Sequence, residues 1–318
     1  MTLALVLGYF VASGTLSLGL LALVWLADRY EREPLGLVLA TAAWGTIPAF
    51  LLSCVTEFAV QLPLSAVAGE GEAGEALMAI LVAPPVEEAA KAMALLALVL
   101  LARREFDDVM DGMVYGAAVG VGFSFVEDLV YFIGALGSHG AGAGVVTFAL
   151  RNLAFMLNHS LFTALTGIGF GLARVYHRRK LDLFLWPVAG YLAATALHSL
   201  HNFLASLDLP GLLGAMYLHL FGGLGIVILT FFTWEVERRW ILRWLGQEVA
   251  EGRIPPGALA ALPFVRRPGL VPRGRAAELR AALMNLAFHR RQVDEGWAPE
   301  AASELEPFRE KIRGCFRA

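Results

Sequence analysis

Apolar positions along this chain come in long, nearly unbroken runs instead of the one-sided stripe of a soluble helix. Runs long enough to cross about 30 Å of hydrocarbon as helices cover residues 3–26, 36–62, 77–102, 111–136, 148–175, 182–206 and 210–234. The pattern predicts an all-α, polytopic bundle of about seven transmembrane helices. Beyond Glu235 the pattern changes. WEVERRWILRWLGQEV is amphipathic and basic, residues 251–274 are rich in Pro, Gly and Arg, and two polar helical patterns follow, AAELRAALMNLAFHRRQVDEG and PEAASELEPFREKIRGCF. A membrane domain over 1–240 and a small helical C-terminal region over 241–318 are therefore expected. No internal repeat is visible.

Composition agrees with the pattern. Of 318 residues 58% are hydrophobic and 17% charged, and the mean hydropathy is +0.63, against roughly a quarter charged in soluble domains. The lipid bilayer is the expected surrounding, and no nucleic acid partner is expected. Cys54 and Cys315 give no disulfide framework. The first run, LALVLGYFVASGTLSLGLLALVWL, lacks a basic leader and exceeds a signal-peptide core, so it reads as a retained span.

Charge sets the expected orientation. Arg29 and Arg32 follow the first span, Arg103 and Arg104 the third, and Arg174, Arg178, Arg179 and Lys180 the fifth; Arg238, Arg239 and Arg243 follow the seventh. The loops after spans two, four and six contain no Lys or Arg, and the first of them carries Glu70, Glu72 and Glu75. By the positive-inside rule the N-terminus is outside and the C-terminal region cytoplasmic.

Against this background the ionisable residues inside spans stand out, because each is costly at membrane depth. They are Glu87, Glu88 and Lys91 within APPVEEAAKAM, Glu127 and Asp128, Arg151, Asn158 and His159, then His198, His201 and Asn202, and finally His219. With alternating helix directions, Glu87, Glu127, His159 and His198 all lie about eight to eleven residues from the outer end of their spans, roughly 12–16 Å deep. Independent structural residues have no reason to share a depth, so these four are read as one site. Lys91 is within reach of both Glu87 and Glu88 by helical spacing. Pro84 and Pro85 suit a first helical turn, which predicts a two-part span with both glutamates in the first turn of its second part. The small residues of GAAVG and Gly122 permit close helix approach.

Blander readings apply to several of these. Glu88 with Lys91 is equally describable as a buried ion pair, His219 as a packed histidine, His201 as a helix–helix hydrogen-bonder, and Arg151 as a snorkelling side chain. Asp128 points to another face than Glu127 and reads as a cap or supporting partner.

Taken together, PPVEEAAKAMALL, DGMVYGAAVGVGFSFVEDLVYF, RNLAFMLNHSLFTALTGIGFG and LHSLHNF, in this order on four spans, resemble the PrsW family of intramembrane proteases, related to the CAAX prenyl proteases. The resemblance covers the middle of the chain and reaches the tail from 235 onward much less well. It implies an essential glutamate pair at Glu87 and Glu88, a second-motif acid at Glu127, where the CAAX relatives carry histidine, and later histidines at His159 and His198, with Asn202 closing the last motif. It also implies membrane-protein substrates, with single-span anti-sigma factors as the type.

Two mechanisms follow. In one, Glu127, His159 and His198 hold zinc with an open water position and Glu87 is the general base. In the other, Glu87 and a histidine activate water without metal while His198 and Asn202 donate to the oxyanion. No HExxH helix is present to decide by spacing. A substrate helix must also unwind before its amides are reachable, and the prolines and glycine-rich span four are candidate loosening points in the site wall. A proton- or ion-coupled transporter using the same Glu/His cluster is the alternative from another class.

Overall fold

A computed structural model describes residues 2–68, 71–176, 179–262, 275–296 and 299–316, with side chains for these except 64–68. Glu70, Arg178 and the stretch 263–274 lie outside the described residues. Every regular element among the described residues is helical. The chain divides into two compact units. The first comprises residues 1–28 and 33–229, the second 29–32 and 230–318. The division along α10 falls between Leu229 and Thr230.

The first unit contains α1 (Thr2–Ala27), α2 (Leu35–Trp44), α3 (Phe50–Ala68), α4 (Glu72–Leu77), α5 (Ala83–Leu101), α6 (Val109–His139), α7 (Ala141–Ala149), α8 (Asn158–Val175) and α9 (Asp182–Ala205), and the start of α10 (Leu209–Ala250). Among the described residues, six helical stretches are long and apolar enough to cross a membrane: Thr2–Ala27, Leu35–Pro63, Val109–His139, Ala141–Val175, Asp182–Ala205 and Leu209–Ala250. The other expected span, 77–102, is helical as well, but its helix α5 carries Glu87, Glu88 and Lys91 within five residues. The protein is a polytopic helical membrane bundle. At 1.5 Å per residue the 42 residues of α10 extend roughly 63 Å, about twice the hydrocarbon thickness.

Small residues decide where the helices meet. Gly112, Gly116 and Gly120 recur every fourth residue along α6, and a methyl group at any of them would strike the backbone of Gly167, Thr163 or His159 on α8. Gly122 faces Ala42 of α2 in the same way. With glycine at these contacts the backbones touch, the packing that membrane helices favour. The glycine-rich span is thus a close seam and not a loose wall.

Among the described residues, three π-helical turns interrupt the bundle, at Gly45–Ala49, Met78–Val82 and Leu150–Ala154. Such turns are frequent at functional sites. The second leads directly into α5, where Pro84 and Pro85 occupy the first turn. Both glutamates therefore fall in the second turn, one turn later than the sequence suggested.

The second unit holds the end of α10, a 3₁₀ turn at Pro256–Ala261, α11 (Ala276–Asp294), a 3₁₀ turn at Pro299–Ala301 and α12 (Ala302–Gly314). Leu279, Leu283 and Leu286 of α11 form a buried stripe that packs with Ile241 and Leu245 of α10 and Ile312 of α12. Glu248, buried among them, accepts from Arg309 at 2.7 and 2.8 Å and from Arg253 at 3.1 Å, which compensates its charge.

Candidate active site

The buried face of α5 carries Glu87, Glu88, Ala90, Lys91, Ala94, Leu95 and Leu98. Helical spacing puts all three charges on one side, and α3, α6, α8 and α9 pack around the helix. Lys91 is fully buried. Its Nζ donates to Glu87 Oε2 at 3.1 Å and to Glu88 Oε1 at 2.8 Å, and lies 2.8 Å from His159 Nδ1. The ammonium also sits 3.8 Å from the centre of the Phe123 ring, where the ring's negative face attracts a cation. A lysine so deeply buried requires this compensation, since an uncompensated charge in the interior is strongly destabilising.

Glu88 is fully occupied. Besides Lys91 it accepts from Thr163 Oγ1 at 3.0 Å and meets His198 Nδ1 at 3.2 Å. Glu87 is different. Its Oε2 has the Lys91 bond, and beyond that faces two imidazole nitrogens, His159 Nδ1 at 3.8 Å and His198 Nε2 at 4.0 Å. One ligand-type atom from each of Glu87, His159 and His198 lies within 4.8 Å of the others, and all three residues are buried.

The far nitrogens of the two rings are also engaged. His159 Nε2 meets Glu127 Oε2 at 2.8 Å, and His198 Nδ1 meets Glu88. Each imidazole thus turns one nitrogen toward Glu87 and keeps the other on a carboxylate. Such outer carboxylates fix the orientation and raise the basicity of ligating or proton-accepting histidines. Glu127 is itself held by Arg151, which also donates to Asp128 Oδ1 at 2.5 Å and lies over the Tyr131 ring. His159 stands edge-on to His198, their centroids 5.0 Å apart, and Phe162 stacks on His198 at 4.7 Å. Both packings restrict the rings.

The local backbone supports this arrangement. Asn158 opens α8, and its Oδ1 accepts from the His159 amide at 2.7 Å and from Ser124 Oγ at 3.0 Å. The close contact between Gly120 and His159 brings α8 near enough for its ring to reach α5. Tyr191 Oη donates to the Pro85 carbonyl at 2.9 Å, and Asn202 Nδ2 to the Ala79 carbonyl at 2.7 Å. These two residues of α9 clamp the π turn and the start of α5.

Of the residues singled out from sequence, Glu87, Glu88, His159, His198 and Glu127 therefore meet in one connected cluster. Asn202 lies four residues from His198, but its amide is spent on Ala79. Arg151 is an ion-pair partner of Glu127 and Asp128, not only a snorkelling side chain. Thr163 and Tyr191 escaped the sequence reading, because a threonine or tyrosine in a span carries no distinguishing signal. Glu57, partly buried in α3, was also passed over, although an ionisable residue inside a span is such a signal.

The donor set suits zinc in kind, with two imidazole nitrogens and a carboxylate oxygen. The competing group is the Lys91 ammonium, which holds the same Glu87 oxygen and the same His159 nitrogen. The residues fit a metal provided Lys91 then relies on Glu88.

Comparison with known proteins shows the family of the chain. The family model described as "PrsW family intramembrane metalloprotease" matches residues 33–234. A protein named Protease PrsW from Geobacillus kaustophilus is 32% identical over 186 residues, covering 58% of this chain and 74% of that protein. Protease PrsW of Bacillus subtilis is 26% identical over 187 residues, 59% of this chain and 78% of the relative. No solved structure matches.

Proposed function

The chain belongs to the PrsW family of intramembrane proteases, and on that premise we propose that it hydrolyses peptide bonds of membrane proteins with a water activated by Glu87. The observation that carries this reading is the convergence of His159 Nδ1 and His198 Nε2 on Glu87 Oε2, with Glu127 and Glu88 behind the two rings.

Amide hydrolysis needs a base for water, a proton for the leaving nitrogen and a stabiliser for the oxyanion. Glu87 is the carboxylate with spare capacity in the cluster and serves as base. His159 and His198 are positioned to pass the proton on, each held by its carboxylate. Lys91 is the positive charge closest to the reacting oxygen. Zinc, when bound, would be held by His159 and His198 beside the Glu87 carboxylate, and would supply a Lewis acid and a more acidic water. In this geometry Glu127, expected from sequence as the third ligand, serves to orient His159. The metal-free version keeps its own support, the direct contacts of Lys91 with Glu87 and His159 Nδ1.

The same reading places the N-terminus outside and residues 241–318 in the cytoplasm, on the alternation of arginine-rich and arginine-free loops. The cleavage site would then lie in the outer half of the bilayer. A single-span protein of the anti-sigma-factor type is the proposed substrate, on the family resemblance.

The test is a cleavage assay with purified protein and a single-span substrate, before and after exhaustive chelation and again after adding zinc back. Loss on chelation with recovery on zinc is expected. Cleavage that survives chelation would remove the metal from the account and leave Glu87 as a metal-free base.

A further inference from the structure

A groove of about 500 Å³ opens in the first unit between the bend preceding α8 and the first turns of α10. Leu153, Met156 and Leu157 form one side of it; Leu213, Met216 and Leu220 form the other. Most of these side chains are exposed, as expected of any lipid-facing surface. Three features distinguish the groove from that background.

The first is a broken helix. The π turn Leu150–Ala154 ends at Phe155, and α8 starts only at Asn158. Within a bilayer, irregular backbone is tolerated where it is buried in protein or lines a cavity, and this break lines the groove. The second is His219, which contributes to the groove wall although it is 4% exposed. Its Nε2 lies 3.0 Å from His201 Nδ1, while its Nδ1 is buried without a hydrogen-bond partner. Buried polar atoms are nearly always paired, so an orphan asks for a missing partner. The third is continuity with the Glu87 cluster. The Phe155 ring lies 5.3 Å from that of His219 and 5.0 Å from that of His201. Phe162 lies 5.8 Å from His219 and stacks on His198.

We propose that this groove receives the transmembrane segment of the substrate in a locally extended form, and that His219 Nδ1 hydrogen-bonds its backbone. The proposal rests on the protease reading above. A lipid acyl chain could fill the apolar walls, but it offers no polar group along its length to satisfy His219. An unwound peptide offers the missing polar partner, since its own N–H and C=O groups have lost their helical partners and find no water in hydrocarbon. His219 is thus a positioning residue, one aromatic layer away from the cluster that performs hydrolysis.

The experiment uses full-length protein in proteoliposomes with a single-span substrate and separates KM from kcat. His219→Leu, which removes the polar atom, and Met216→Trp, which fills the groove, should each raise KM about fivefold to tenfold, the order expected for one lost hydrogen bond, with kcat nearly unchanged. His219→Asn keeps a polar atom near the Nδ1 position and should approach wild type. His219→Gln keeps one near Nε2 and should resemble His219→Leu. The reverse order, Gln active and Asn impaired, would make His219 a mere partner of His201 and overturn the proposal, as would wild-type KM in all variants. In parallel, a photo-crosslinking residue in place of Tyr217, which also lines the groove, is placed in a Glu87→Gln background. Adducts with the substrate are expected, and adducts with lipid alone would overturn the proposal. Because cross-linking needs no turnover, it decides the groove even if wild type fails to cleave, an outcome that would instead sink the protease reading.

Discussion

Among the described residues, two places in the membrane unit gather three ligand-type side chains within 4.8 Å, Glu87–His159–His198 and Asp28–Glu33–Asp111. Both sets are buried, yet their surroundings support opposite proposals for them. The second set is built from carboxylates alone, and its Asp111 belongs to the start of a helix. Asp108 caps α6 by accepting from the amides of Met110 and Asp111 at 2.6 and 3.2 Å, and Asp111 Oδ2 accepts in return from the amides of Asp107 and Asp108 at 2.6 and 2.9 Å. That is a reciprocal cap satisfying the orphan donors of a helix start. Tyr115 donates to Glu33, whose backbone carbonyl accepts from Trp25 at 2.8 Å. The first set joins two imidazoles and a carboxylate from three helices, with the Lys91 ammonium beside them, and none of the three side chains caps a helix end. Convergence alone does not mark a reaction centre; what each group is already doing for the backbone has to be subtracted first.

Four measurements would break or sharpen that contrast. The largest effect is expected from His198→Ala, which removes one nitrogen facing Glu87 and leaves Glu88 with Lys91 and Thr163. Cleavage should drop at least about a hundredfold, with helical content by circular dichroism unchanged. Next, Glu127→Gln weakens the outer carboxylate on His159 and should cost about 10- to 100-fold in zinc affinity or activity, read by metal titration. Third, Asp111→Ala removes half of the reciprocal cap. It should lower stability by about 1–2 kcal/mol, seen as a lower melting temperature, while cleavage per folded molecule stays at the wild-type level. The smallest effect concerns Glu33, in the loop before α2. Burial, and then the neighbouring Asp111, hold its carboxyl well above the usual range. A carboxyl raised by folding contributes stability that is complete below the unfolded value of about 4.3 and is lost as pH rises through the folded value. Glu33→Gln cannot ionise, so above that folded value it should melt a few degrees higher than wild type, about 2–4 °C per kcal/mol, and near pH 4 should show no such gain.

The contrast was only half legible in the sequence. The polar residues of the spans could be ranked by depth, and Glu87, Glu127, His159 and His198 were grouped on that ground alone. Depth says nothing of which ring nitrogen faces which oxygen, and that detail puts Glu87 between the rings and Glu127 behind one of them. The small residues of GAAVG and Gly122 announced a close approach, but not that α8 and α2 would be the partners. Asn202 shares a helical face with His198, and the turn geometry at Ala79 that claims its amide leaves no sequence pattern. The acidic set escaped notice because Glu33 and Asp111 are distant in sequence and look like ordinary residues at span ends. Pairing across a separation of 78 positions is a property of packing.

The central claim is that Glu87 belongs to the reaction and Asp111 to the fold. Initial rates of single-span substrate cleavage, measured side by side for purified Glu87→Gln and Asp111→Asn at equal amounts of folded protein, test it directly. The expected result is a loss of about 10²- to 10⁴-fold for Glu87→Gln and a near wild-type rate for Asp111→Asn. Wild-type cleavage by Glu87→Gln, or equal losses in both variants, would contradict the account.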